Sequence, residues 1–279
     1  MATLSKSSTT KLNDGNAMPI LAFGTATKNC FEEVSTALSN SYTHIDTAHI
    51  YNTEKEVGRA IKDSGIPCSK LYIASKLWDP DFTREGAVQG VKESLKNMQV
   101  EYIDLFLLHN PRGGPGRRRD AWLGLQDAVE AGLVRSIGVS NWAIKHFEQL
   151  AKEEGVKITP ACNQIEFHPW TQQAAIVKYC KEKGIQITAF SALAQGKRHD
   201  DEVINGLAEK YGKSPSQIIL RWLVQRQIVP ITKTSKEERV KQSMDIFDFQ
   251  LEDSDCEKVD KLDEGIKSRV GDWNPDEHE

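Results

Sequence analysis

Two histidines, an aspartate and a tyrosine fall within one short span of the stretch Thr43 to Gly58, THIDTAHIYNTEKEVG. Three readings are open for it: a metal site, a proton-delivery site, or the plain end of a strand. His44 and Asp46, two apart on an extended segment, point to the same side as ligands of one ion would, and His49 adds a third candidate. Proton delivery needs different company. A free phenol such as Tyr51, with an ordinary pKa of ~10, donates poorly near neutrality unless the charge it leaves behind is stabilised. Lys76 supplies an ammonium for that. An ammonium in a semi-buried site tends to lose its own proton, so it needs a carboxylate partner such as Asp46. His109, at the end of a wholly apolar run, can donate a hydrogen bond to a carbonyl oxygen and stabilise negative charge developing there.

Something must bring these residues together, and the chain shows a rhythm able to do so. Eight short β-rich runs can be marked: PILAFGT (Pro19 to Thr25), THID, LYIAS, IDLFLL, VRSIGV, ACNQI, IQITAF and IVPIT, the last ending at Thr232. Between them lie helical faces such as Phe31, Val34 and Leu38, or Ala87, Val91, Leu95 and Met98. Strands alternating with amphipathic helices pair in parallel. Counting alone leaves an open doubly wound sheet as an alternative, but eight units in this length favour an α/β fold of the closed (β/α)8 TIM-barrel type, a single domain over residues 1–279. No GxGxxG follows any strand, which removes the usual signature of an open dinucleotide-binding sheet. Asp14-Gly15 marks an N-terminal hairpin, residues 8–18, placed to plug the barrel floor. PRGGPGRRR, Pro111 to Arg119, reads as a mobile loop whose arginines are solvated, or alternatively attract an acidic substrate.

In a barrel the chemistry sits at the carboxyl ends of the strands. Those positions here hold Asp46 with Tyr51, Lys76 with Trp78, His109, Ser140-Asn141-Trp142, Gln164, Phe190-Ser191 and Lys233. Strands three, five, six, seven and eight offer no further His or carboxylate ligand, so no metal is expected. His44 and His49 are then packing or hydrogen-bonding residues.

Charge and composition are consistent with a small-molecule task. With 36 Lys+Arg against 40 Asp+Glu, the chain is mildly acidic and gives no general electrostatic reason to bind nucleic acid or an anionic membrane. The polar first residues lack a secretory core and no run approaches a membrane span, so a cytoplasmic monomer is expected. The five cysteines are scattered, without CxxC spacing, and read as reduced, mostly buried thiols.

HIDTAHIYNTEKEVG, IASKLW, LFLLHNP, SIGVSNW, NQIEFHP and ITKTSKEER, in this order and spacing, resemble the aldo-keto reductase superfamily from near Leu12 to about Leu251. The resemblance implies a barrel that binds NADPH/NADP+ and reduces aldehydes or ketones, with a small-molecule carbonyl substrate. It makes Tyr51 the general acid, Lys76 and Asp46 the residues that tune it, and His109 the residue that positions substrate. It assigns Ser140, Asn141 and Gln164 to the nicotinamide carboxamide, and Phe190, followed by Ser191, to stacking on the ring. Lys233, Thr234, Ser235 and Arg239 are assigned to the 2′-phosphate and Gln242 to the adenine. Ser235 to Glu238 has the form of a capping box opening a helix there.

Several positions depart from the family's habit. Phe190 stands where most members carry Tyr, and Gln242 and Ser243 where many carry Glu and Asn. Ala26 replaces a common bulky aromatic, while Trp78 and Trp142 remain to line the substrate side. Together with the short loop after Phe190, this predicts an open mouth and broad specificity. The rival reading is a non-catalytic NADPH-binding regulatory subunit.

Overall fold

The computed structural model describes residues 4–271, 274 and 277–279. Ten strands are present among them. β1 (Thr9–Lys11) and β2 (Ala17–Pro19) form an antiparallel hairpin. β3 (Ala22–Gly24), β4 (His44–Asp46), β5 (Tyr72–Leu77), β6 (Ile103–Leu108), β7 (Val134–Ser140), β8 (Cys162–Glu166), β9 (Gln186–Phe190) and β10 (Val229–Thr232) pair in parallel and close into a barrel, β10 joining β3. The outer helices are α1 (Cys30–Ser39), α2 (Glu54–Ser64), α3 (Arg84–Met98), α4 (Gly114–Glu130), α5 (Ile144–Leu150), α6 (Ala174–Glu182), α7 (Glu202–Tyr211), α8 (Pro215–Gln225), α9 (Glu237–Met244) and α10 (Asp253–Asp260).

β6 shows why apolar runs make such strands. Leu105 and Leu107 fall in the cluster that fills the barrel, whereas Phe106 and Leu108 fall in the larger core shared with the helices. Side chains alternate across a strand, so a strand buried on both faces is apolar nearly throughout; the exception in β6, buried Asp104, accepts from Ile73 N and pairs with Arg135. The same alternation turns His44 and Asp46 to one face of β4 and Ile45, part of the larger core, to the other. Gly58 lets α2 approach α3, because a Cβ there would lie 2.4 Å from Met98 O. That close packing fixes the helix immediately after Tyr51.

The hairpin closes the floor. Leu12 and Met18 are buried with Tyr72, Leu105, Cys162 and Val229, near the amino ends of their strands. Asn13 Nδ2 donates to Pro160 O at 3.0 Å and Asn16 Nδ2 to Arg135 O at 3.2 Å, tying the turn to the loop before β8 and to the start of β7.

Four boundaries differ from the sequence reading. Pro19 belongs to the hairpin, and the first barrel strand begins at Ala22. β5 runs on to Leu77, so Lys76 lies inside the strand. The Pro111–Arg119 stretch is a loop only to Gly113: α4 starts at Gly114, with Gly113 and Gly114 at φ 91° and 79° making the bend and Pro115 in the first turn, where its missing N–H costs nothing. The capping box does not form either. Lys236 is the N-cap of α9, and Thr234 Oγ1 instead accepts from Lys236 N at 3.1 Å, holding the preceding residues out of the helix.

Candidate active site

The four polar residues singled out above converge at the carboxyl ends of β4, β5 and β6. Lys76 is fully buried and donates to Asp46 Oδ1 at 2.5 Å and to Thr47 O at 2.8 Å. Its ammonium lies 5.3 Å from the centre of the Tyr51 ring. Tyr51 sits in a 3-10 turn, His49–Tyr51, closed by Asn52 at φ 55°. His49 in that turn faces the buried Glu54 at 3.7 Å, and Glu54 also accepts Ser75 Oγ at 2.7 Å and Ser94 Oγ at 2.6 Å. The turn that carries the phenol is thereby braced against α2, β5 and α3.

Burial and charge oppose one another here. Burial pulls the Lys76 ammonium toward losing its proton, but the charge of Asp46 and its hydrogen bond outweigh this, and the net shift is upward. For Tyr51 burial is the largest influence and raises its pKa; the charge and hydrogen bond of Lys76 only partly reverse it. The phenol is therefore held protonated in the open site. His109 is pushed well below 6.5, first by burial and then by the Lys76 charge, so its ring is neutral at pH 7. Its Nδ1 is buried without a partner, and the ring stands edge-on to Tyr51 at 5.6 Å and to Trp78 at 5.1 Å.

A second polar string runs from this group along β7 and β8. Gln164 Nε2 donates to Asp46 Oδ2 at 2.8 Å. Ser140 Oγ donates to Gln164 O at 2.9 Å, and Asn141 Nδ2 donates to Ser140 Oγ at 3.1 Å and to His109 O at 3.2 Å. Asn141 and Ser191 take the left-handed conformation, φ 61° and 51°, turning the chain sharply after β7 and β9. Half-buried Phe190 ends β9 beside them. Ser140, Asn141, Gln164, Phe190 and Ser191 thus border the same mouth as Tyr51 and His109. Amides and a hydroxyl suit the donor and acceptor of a carboxamide, and Phe190 leaves a ring partly uncovered, so these residues fit a nicotinamide.

Lys233, Thr234, Ser235, Arg239 and Gln242 lie on the segment leading into α9 and on the helix itself, mostly exposed. Lys233 Nζ donates to the carbonyl of exposed Ala26 at 2.9 Å, linking the loops after β10 and β3. Basic side chains around a helix start fit a phosphate group. One neighbour runs against this. Glu32 and Glu33 line a cavity of about 130 Å³ together with Thr234 and Ser235, and Glu33 Oε2 is buried without a partner.

Other expected residues are placed elsewhere. Trp78 is half-buried against His109 and borders a cavity of about 510 Å³ with Ile50 and His49. Trp142 is only 1% exposed, packed edge-on against Phe147 and His146 of α5, and is not brought to the mouth. Arg117 donates to Asp79 O and Pro80 O, buried Arg118 to Pro111 O and Gln149, and Arg119 to Asp120. A helix rather than a loop carries these arginines: Arg118 is buried, whereas Arg117 is exposed and Arg119 half-exposed. His44 is buried, its Nδ1 3.2 Å from Pro19 O and its ring edge-on to Tyr72. Among the described residues no three His, Cys, Asp or Glu side chains are grouped to hold a metal ion, and no helix is long and apolar enough to cross a membrane. Sequence reasoning missed the Thr47 carbonyl on Lys76 and the Gln164–Asp46 bond. The first is backbone and leaves no mark in residue type; the second joins positions 118 residues apart.

Comparison with known proteins bears on the same residues. The Aldo/keto reductase family profile matches residues 23–264. Glyoxal reductase of Bacillus subtilis is 41% identical over 273 residues, 96% of each chain. Methylglyoxal reductase DkgA of Escherichia coli is 38% identical over 260 residues, 91% of this chain and 93% of that one. The crystal structure of a Bombyx mori aldo-keto reductase in complex with NADP superposes with a TM-score of 0.87 at 34% identity, covering 96% of each chain. A closed eight-stranded barrel, a buried Lys–Asp pair beside a tyrosine, and a family profile that spans both lead to one conclusion: the chain belongs to the aldo/keto reductase family of oxidoreductases.

Proposed function

We propose that this protein uses NADPH to reduce small aldehydes and ketones to alcohols, with Tyr51 as proton donor. The observation that carries the reading is the fully buried Lys76 ammonium, held by Asp46 at 2.5 Å and lying 5.3 Å from the Tyr51 ring. When bound, NADPH supplies hydride to the carbonyl carbon. The chain's own residues deal with the oxygen. Neutral His109 donates a hydrogen bond to it and fixes its position. Tyr51 Oη transfers its proton as negative charge builds there, and the Lys76 ammonium stabilises the phenolate left behind. Asp46 keeps Lys76 charged.

Ser140, Asn141 and Gln164 hold the carboxamide, Phe190 stacks on the ring, and Lys233, Thr234, Ser235 and Arg239 take the 2′-phosphate. Similarity to glyoxal and methylglyoxal reductases, with Ala26 small and exposed beside the mouth, favours short dicarbonyl substrates. The test follows NADPH absorbance with methylglyoxal, with NADH in parallel. Tyr51→Phe is expected to lower turnover on the order of a thousandfold while leaving NADPH affinity within about threefold. Undiminished turnover in that variant removes Tyr51 as the donor. No turnover of any carbonyl by the parent removes the reductase reading.

A further inference from the structure

Gln164 ends its reach on a carboxylate, which fixes the orientation of its amide. An ionised Asp46 can only accept, so the group 2.8 Å from Oδ2 is the Nε2 nitrogen, and Gln164 has Oε1 and the second Nε2 hydrogen left to offer a ligand. Asp46 is consequently held at both oxygens, by Lys76 on Oδ1 and by Gln164 on Oδ2. Both Asp46 and Gln164 are 3% exposed, so no solvent replaces either bond. The Gln164 backbone is pinned as well, its carbonyl accepting Ser140 Oγ at 2.9 Å and Asn141 N at 2.8 Å.

We propose that Gln164 is a positioning residue for proton delivery as well as a cofactor contact. Its amide holds Asp46 oriented toward Lys76, while its Oε1 ties that setting to a carboxamide at the mouth. The inference rests on reading the mouth as a nicotinamide site. A neutral donor suits the role: it stabilises the anion without competing with Lys76, as a second cation would. The titratable groups around Asp46 are Lys76 on β5, Tyr51 in the 3-10 turn, His44 on β4 and Cys162 on β8. Burial lowers His44 to about 4 and raises the Cys162 thiol to about 12, which leaves Lys76 as the charged neighbour through the working range.

Gln164→Met keeps the length of the side chain and removes the donor. Without that bond Asp46 is free to turn from Lys76, and the ammonium loses part of the charge that holds its pKa up, so the alkaline limb of kcat against pH, at saturating NADPH with methylglyoxal, is expected to move down by about one unit. The Kd for NADP+, read from tryptophan fluorescence, is expected to weaken roughly tenfold with loss of the positioned amide. Weakened NADP+ binding with an unmoved alkaline limb overturns the proposal and leaves Gln164 a cofactor contact only. Gln164→Asn, one methylene short of Asp46, gives the same readout should the methionine variant fail to fold. Failure of the parent itself to bind NADP+ defeats the nicotinamide reading, and this proposal with it.

Discussion

Lys76 Nζ and Asp46 Oδ1 stand 2.5 Å apart, both side chains closed off from water. Removing one member of a buried pair leaves the other uncompensated, at a cost on the order of 3–5 kcal/mol. Asp46→Asn is therefore expected to lower the Tm markedly. Burial then meets far less opposition at Lys76 and drives its proton off at lower pH. The residual kcat of the variant should rise as the pH is lowered from 8 toward 6. A profile superimposable on the parent's contradicts the role given to the pair.

Tyr51 is held above its ordinary pKa of 10.0, chiefly by burial. In the cofactor-free protein the phenol is expected to stay protonated past pH 10. The difference in tyrosinate absorbance between the parent and Tyr51→Phe measures this directly. A difference signal that titrates near pH 8 shows that Lys76 outweighs burial after all.

Stability should fall in acid through His44, whose pKa burial lowers from 6.5 to about 4. Between those values the unfolded chain binds a proton that the folded one refuses, so stability is present above 6.5 and is lost as the pH drops toward 4. The loss amounts to about 3 kcal/mol at 1.36 kcal/mol per pH unit. Denaturant titrations at pH 7 and pH 4 should show His44→Gln losing less stability than the parent by about that amount. Equal losses place the acid sensitivity elsewhere.

Glu33 lines the cavity that Thr234 and Ser235 share, beside the region read as a phosphate site, and one of its carboxylate oxygens is buried without a hydrogen-bond partner. Like charges repel, so Glu33→Gln should tighten NADPH about three- to tenfold, worth roughly 1 kcal/mol at a partly screened distance, while NADH is little affected. The measurement is Kd for both nucleotides at low and high salt. Equal change for the two indicates that Glu33 does not meet the phosphate.

The barrel was legible because period-2 and helical patterns are local: IDLFLL cannot be a half-solvated strand, and it is buried at every position. The convergence of Asp46, Tyr51, Lys76 and His109 was legible because strand ends in this fold share one mouth. What failed was decided by neighbours the sequence does not display. Arg117 and Arg118 look like part of a polar loop until the 3-10 turn at Asp79 and α5 supply their partners. Trp142 follows Ser140 and Asn141, yet the left-handed turn at Asn141 precedes it and its ring packs against α5. Ser235 fits a capping pattern, but Thr234 captures the Lys236 amide first. In each case a tertiary partner or a competing side-chain bond overrode a correct local preference.

Leu12 and Met18, wedged into the bottom of the barrel by the hairpin, share one apolar cluster with Tyr72, Leu105, Cys162 and Val229. Four strands are thereby stitched to the chain's N-terminal hairpin, so clipping its turn should loosen the floor while leaving the polar strand ends at the other rim in place.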